Sequence, residues 1–67
     1  MTRIELNGAQ QILARPLSVA ALLEANGYAG RMVAVEVNRE IVPRSLHAQR
    51  LLQDGDHVEI VQAMGGG

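Results

Sequence analysis

Sixty-seven residues with a net charge of −1, six arginines, seven acidic residues, no cysteine and one aromatic, Tyr28, describe a single small domain. A chain this short buries only about 60% of its unfolded surface, which leaves little area for a deep catalytic cleft. Lack of cysteine excludes disulfides, thiolate metal sites and thiol nucleophiles, and the near-neutral charge with no set of stacking rings argues against nucleic acid as a partner.

The chain opens on an alternating run, Arg3-Ile4-Glu5-Leu6, with Ile4 and Leu6 on one face. It has neither a signal-type apolar run nor a stretch long enough to span a membrane, and the missing disulfides point to the cytoplasm. Asn7-Gly8 then separates the first run from Gln10-Gln11-Ile12-Leu13. Asn-Gly between two short strand-like runs is the strongest local hairpin signal, because both residues tolerate positive φ. The sequence therefore predicts an antiparallel hairpin over residues 2–13.

Pro16 closes that unit, and Ser18 is placed to cap a helix. Leu17 and Leu22 have the spacing of a hydrophobic staple, and Val19, Leu22 and Leu23 form a helical stripe. Gly27 suits the left-handed position just past a helix end, which lets Tyr28 fold back on Leu23. A helix over residues 19–26 follows. At two turns it cannot persist alone and must dock on a sheet.

Met32-Val33-Ala34-Val35-Glu36-Val37 reads as a strand with Val33, Val35 and Val37 on one face. Asn38-Arg39 makes a tight turn into Glu40-Ile41-Val42, and Pro43 ends the pairing because it has no N–H to donate. Residues 44–52 allow a short helical turn, and Gln53-Asp54-Gly55-Asp56 is a turn. The last strand is expected over residues 57–64, with Val58 and Ile60 on one face. Strand, strand, helix, short strands and a final strand make an α+β two-layer domain: a mixed sheet of four or five strands on one main helix. Residues 1–64 form this domain, and Gly65, Gly66 and Gly67 form a separate glycine tail.

That tail lacks side chains altogether. Extended, three residues reach roughly 10 Å. Glycine is costly to order, so the tail is expected to be mobile and thin enough to enter another protein's active site. Gly67 is read as the last residue, carrying the free α-carboxylate. Such a carboxylate is an anion at neutral pH and a poor electrophile, so it needs activation from outside. The chain has no lysine and no glycine-rich loop opening a helix, so it has no Walker-type phosphate site with which to activate itself. It is read as a carrier, with no catalytic residues of its own.

Four pieces of sequence carry a resemblance to a known family: the opening strand with Asn7-Gly8, the segment from Val37 through Asn38-Arg39-Glu40-Ile41-Val42-Pro43 to Arg44, the segment from Asp54-Gly55-Asp56 through His57-Val58-Glu59-Ile60 to Val61, and the terminal Gly66-Gly67. Together they resemble the ubiquitin-like β-grasp fold, and within it the sulfur carrier proteins of thiamine biosynthesis. The resemblance implies that an adenylating, ubiquitin-activating-like enzyme uses ATP and Mg²⁺ to convert the Gly67 carboxylate to an acyl-adenylate. A sulfur donor protein then replaces AMP to leave a thiocarboxylate, and thiazole synthase takes the sulfur. The Gly65–Gly67 tail threads the partner's active site. The alternatives are the small subunit of molybdopterin synthase, which uses the same tail chemistry, and a ubiquitin-like binding module with an inert tail.

Other candidates carry less chemistry. His47 and His57, ten positions apart with no cysteine, match no metal pattern and are read as surface or rim residues. Asp54 and Asp56 lack the ligand-rich loop of a calcium site and are read as turn residues. Met32, Ala34, Val61 and Ala63 fall on the sheet face opposite the helix. They suit a docking patch for partners, and equally the ordinary scatter of apolar residues on an open sheet. Arg44 reads as a solvated side chain or a rim contact of that patch.

Overall fold

Alternation in the first strand puts Ile4 inward, and the hairpin brings Leu13 beside it. In the computed structural model, which describes residues 1–62, β1 (Thr2–Leu6) and β2 (Ala9–Leu13) pair antiparallel with Leu6 opposite Ala9 and Thr2 opposite Leu13. The turn between them has φ of 49° at Asn7 and 86° at Gly8, the positive pair that Asn-Gly predicts.

Helix α1 (Val19–Ala25) forms where the cap and stripe place it. All four leading N–H groups are satisfied. Val19 donates to the Arg50 carbonyl, Ala20 to His47, Ala21 to Ser18 Oγ at 3.0 Å and Leu22 to the Ser18 carbonyl. The helix start is thus tied to the 47–50 loop as well as to its own cap. At the other end Asn26 caps, Gly27 takes φ 82°, Gly27 donates to Glu24 and Tyr28 donates to Leu23 at 2.8 Å. This is a Schellman closure, with Tyr28 packed against the core.

The second half supplies β3 (Val33–Val37), the two-residue β4 (Glu40–Ile41), a 3₁₀ turn at Arg44–Leu46, and β5 (His57–Gln62). Strand order is β2-β1-β5-β3-β4. β5 therefore lies at the centre, parallel to β1 and antiparallel to β3. The inner face sends Ile4, Leu13, Val35, Val37, Val58 and Ile60 against Val19, Leu22 and Leu23 of α1, and Val42 and Leu52 complete the core. This is the expected α+β two-layer arrangement, with five strands.

Three element edges differ from expectation: α1 ends at Ala25 with Asn26 as its cap, one residue short of the expected 19–26, and two strand edges shift. β3 begins at Val33, whose partner is Gln62, so Met32 precedes the strand. The short strand ends at Ile41, although Val42 still donates to the Val35 carbonyl at 2.9 Å. The expected final positions of the last strand, Ala63 and Met64, lie outside the described residues, as do Gly65, Gly66 and Gly67.

Candidate functional site

Two residues separate Gln62, the end of β5, from the tail sequence, so what holds β5 in the sheet bears on the strand from which the tail departs. Two asparagines hold it from opposite sides. Asn38, at φ 54° in the β3–β4 turn, donates its backbone N–H to the His57 carbonyl at 2.7 Å and accepts the His57 N–H on Oδ1 at 2.9 Å. Asn7, in the β1–β2 turn, donates its backbone N–H to Val58 at 2.9 Å. Its side chain accepts the Ile60 N–H on Oδ1 at 2.7 Å and donates from Nδ2 to the Ile60 carbonyl at 3.3 Å. Sequence reasoning read both only as turn formers. The signal available was asparagine itself, which tolerates positive φ and also carries a donor and an acceptor.

The loop before β5 is tied down as well. Gly55 donates to the Arg3 carbonyl at 2.7 Å, Glu5 donates to the Asp56 carbonyl, and Arg3 donates to Asp54 Oδ1 at 2.8 Å. Asp56 is more than a turn residue. It is buried, accepts from Asn38 Nδ2 at 3.0 Å and from the Gln53 N–H at 2.8 Å, and has Arg50 Nη1 at 3.7 Å.

The sheet face away from the helix is uncovered. Cross-strand register places Ala34 opposite Val61, Glu36 opposite Glu59, and Ile41 opposite Glu36. Ala34 is exposed, and Val61 and Ile41 are 60% and 68% exposed. The structure therefore brings two of the four expected patch residues, Ala34 and Val61, into direct cross-strand contact. Met32 is exposed just before β3, and Ala63 lies outside the described residues. Ile41 joins this face and was missed, because a two-residue strand carries too little alternation to assign a side.

Next to the apolar row the face is acidic. Glu5, Glu36 and Glu59 line an open depression of about 470 Å³ with His57, Asn38 and Arg39. Among the described residues neither Glu36 nor Glu59 has an ion-pair partner within 4 Å. His57 Nε2 lies 3.4 Å from Glu5 Oε1, and both side chains are largely in solvent, so this pair adds little to stability.

The remaining candidates resolve differently. His47 is buried, against the surface position expected of it: its Nε2 lies 3.0 Å from the Val42 carbonyl, which can only accept, so Nε2 carries the proton. Pro43 ends the strand pairing there, and His47 supplies the donor that the ladder no longer does. Arg44 is exposed. Among the described residues no three His, Asp or Glu side chains gather as metal ligands, and no helix is long and apolar enough to cross a membrane.

A family model described as the ThiS family matches residues 3–67. Thiazole synthase of Paramagnetospirillum magneticum is 45% identical over 65 residues, which is 97% of this chain but 20% of that protein. The chain thus spans about a fifth of the length of the thiazole synthases it matches. Sulfur carrier protein ThiS of Escherichia coli is 38% identical over 50 residues, 75% of this chain and 76% of that one. The crystal structure of a thiamine biosynthesis protein (ThiS) from Geobacter metallireducens superposes with a TM-score of 0.84 at 35% identity, covering 98% of this chain and 100% of the other. The β-grasp architecture is shared over 98% of the chain, and the chain belongs to the ThiS family of sulfur carriers.

Proposed function

We propose that this chain carries sulfur for thiazole formation in thiamine biosynthesis, with the Gly67 carboxyl group as the reacting site. The reading is supported most by the family match, which runs through the tail to Gly67, on a fold whose central strand leads into that tail. In a chain ending at Gly67, a carboxylate oxygen attacks the α-phosphorus of Mg·ATP in the active site of an adenylating enzyme and pyrophosphate leaves. The terminal sulfur of a donor protein's persulfide then attacks the acyl carbon and AMP leaves. A thiol of the partner proteins attacks the donor's sulfur in the resulting acyl disulfide, so that the S–S bond breaks to release the Gly67 thiocarboxylate and leave a disulfide. Thiazole synthase is the acceptor. Proteins of that name align with nearly all of this chain, which favours a thiazole acceptor over a molybdopterin one.

The division of labour follows from chemistry. The carrier contributes a carboxylate with no side chain beside it for the last three residues, so the activating groups belong to the partner. Docking is assigned to the open sheet face around Ala34 and Val61, with Met32 exposed beside it just before β3 and Ala63, the fourth expected residue, outside the described residues. That face needs no rearrangement to meet a partner, since its apolar side chains already stand in solvent.

The test incubates the chain with the activating enzyme, Mg·ATP and a sulfur donor, followed by intact-mass and fragment mass spectrometry. An oxygen-to-sulfur exchange confined to Gly67 supports the reading. No exchange with an enzyme that is active on its own carrier sinks it.

A further inference from the structure

Asn7 has two separable roles in this structure. Its backbone makes the β1–β2 turn at φ 49°, a task glycine performs as well. Its side chain does something the turn does not require: it bonds both backbone groups of Ile60, fifty-three positions away. Backbone pairing of β1 with β5 stops at Leu6 opposite Val58, where the hairpin turns away. Past that point β3 still covers one side of β5 as far as Gln62. On the other side the Ile60 N–H and C=O point to where β1 would have continued, and the Asn7 amide occupies that place with one donor and one acceptor.

We propose that Asn7 is a positioning residue for the reaction at the tail: its side-chain amide extends the missing strand by one step and holds the outgoing end of β5 in line. This rests on the carrier function proposed above. Ile60 is the last core residue among the described residues, with its side chain buried. Glycine residues beyond it supply reach but no direction, so direction must come from the strand that precedes them. With one edge of β5 unpaired after Val58, the strand end would fray about its β3 contacts and spread the starting points of the tail. Reactions that depend on near-attack geometry are sensitive to displacements of about 1 Å made far from the chemistry.

The experiment compares Asn7→Gly, Asn7→Asp and Ser18→Ala in the full chain. Asn7→Gly keeps the turn and removes the amide. Asn7→Asp keeps an acceptor for the Ile60 N–H. Ser18→Ala removes the helix cap, well apart from β5, and serves as a control of similar stability loss. Hydrogen exchange is read at Ile60, Val61 and Gln62, and kcat and KM are read for thiocarboxylate formation, all below each variant's melting range.

Asn7→Gly is expected to speed exchange at those three amides and to lower kcat about tenfold. KM should stay within about twofold, since the docking face is intact. Asn7→Asp, which keeps the acceptor but sets a carboxylate oxygen against the Ile60 carbonyl, should recover only part of kcat, and Ser18→Ala should leave kcat unchanged. Unaltered exchange in Asn7→Gly, an unaltered kcat, or an equal loss in Ser18→Ala overturns the proposal. A wild-type chain that takes no sulfur overturns the carrier function itself, and the kinetic part of this inference with it. The exchange result still decides whether Asn7 holds the end of β5.

Discussion

Asn38 and Asp56 share a hydrogen bond at 3.0 Å that joins the β3–β4 turn to the loop leading into β5. Asn38 Oδ1 meanwhile accepts the His57 N–H, so one amide bridges the buried carboxylate and the first residue of the strand. Removing the carboxylate leaves Asn38 Nδ2 and the Gln53 N–H without their acceptor. Asp56→Ala is therefore expected to cost about 1–3 kcal/mol. Thermal melting checks it, since each kcal/mol moves the midpoint of a domain this small by roughly 4–8 °C. A midpoint within a degree of wild type would show that the bridge contributes nothing.

Arg39 sits at φ 69°, a left-handed position that an arginine side chain disfavours. Arg39→Gly relieves that conformation, at the expense of a more flexible unfolded chain. The net expected gain is about 0.5–1 kcal/mol, read from chemical denaturation. A loss of stability would mean that the Arg39 side chain makes contacts outweighing its backbone strain.

Glu36 and Glu59 stand directly opposite each other on the open face without a cation between them. Like charges in that position destabilise a sheet, so Glu59→Lys should stabilise the free protein by about 0.2–1 kcal/mol. The gain should shrink as added salt screens the pair. A gain that is unchanged in high salt would show that packing, and not charge, was responsible.

Val61 is 60% exposed opposite Ala34, so Val61→Asp should fold with little loss of stability. It places a charge in the centre of the assigned docking face. Affinity for the activating enzyme, measured by titration calorimetry, should fall at least about tenfold, which corresponds to roughly 1.4 kcal/mol. Wild-type affinity in this variant would move the docking site elsewhere.

Local sequence chemistry made much of the fold legible. Asn7-Gly8 announced the hairpin, Ser18 and Gly27 bounded the helix, and alternation placed Val35, Val37, Val58 and Ile60 inward, as observed. What stayed hidden depends on contacts between distant parts of the chain. The parallel pairing of β1 with β5 has no local signature. Nothing near Asn7 announces that its side chain reaches Ile60. His47 looked like a surface histidine because its partner, the Val42 carbonyl, needs a donor only once Pro43 has ended the strand. Ala34 and Val61 were placed correctly on the open face, while Ile41 escaped because β4 has only two residues.

On the proposed function the chemistry happens at the Gly67 carboxyl group, and the rest of the chain is a rigid carrier for it. The direct measurement is the mass of the C-terminal fragment after incubation with the activating enzyme, Mg·ATP and sulfur donor, made on the wild-type chain and on a chain lacking Gly67. An oxygen-to-sulfur exchange is expected on Gly67 in the wild type and none in the shortened chain, with the same melting temperature for both. Sulfur incorporated at any other position, or a shortened chain that takes up sulfur as well as the wild type, would contradict it.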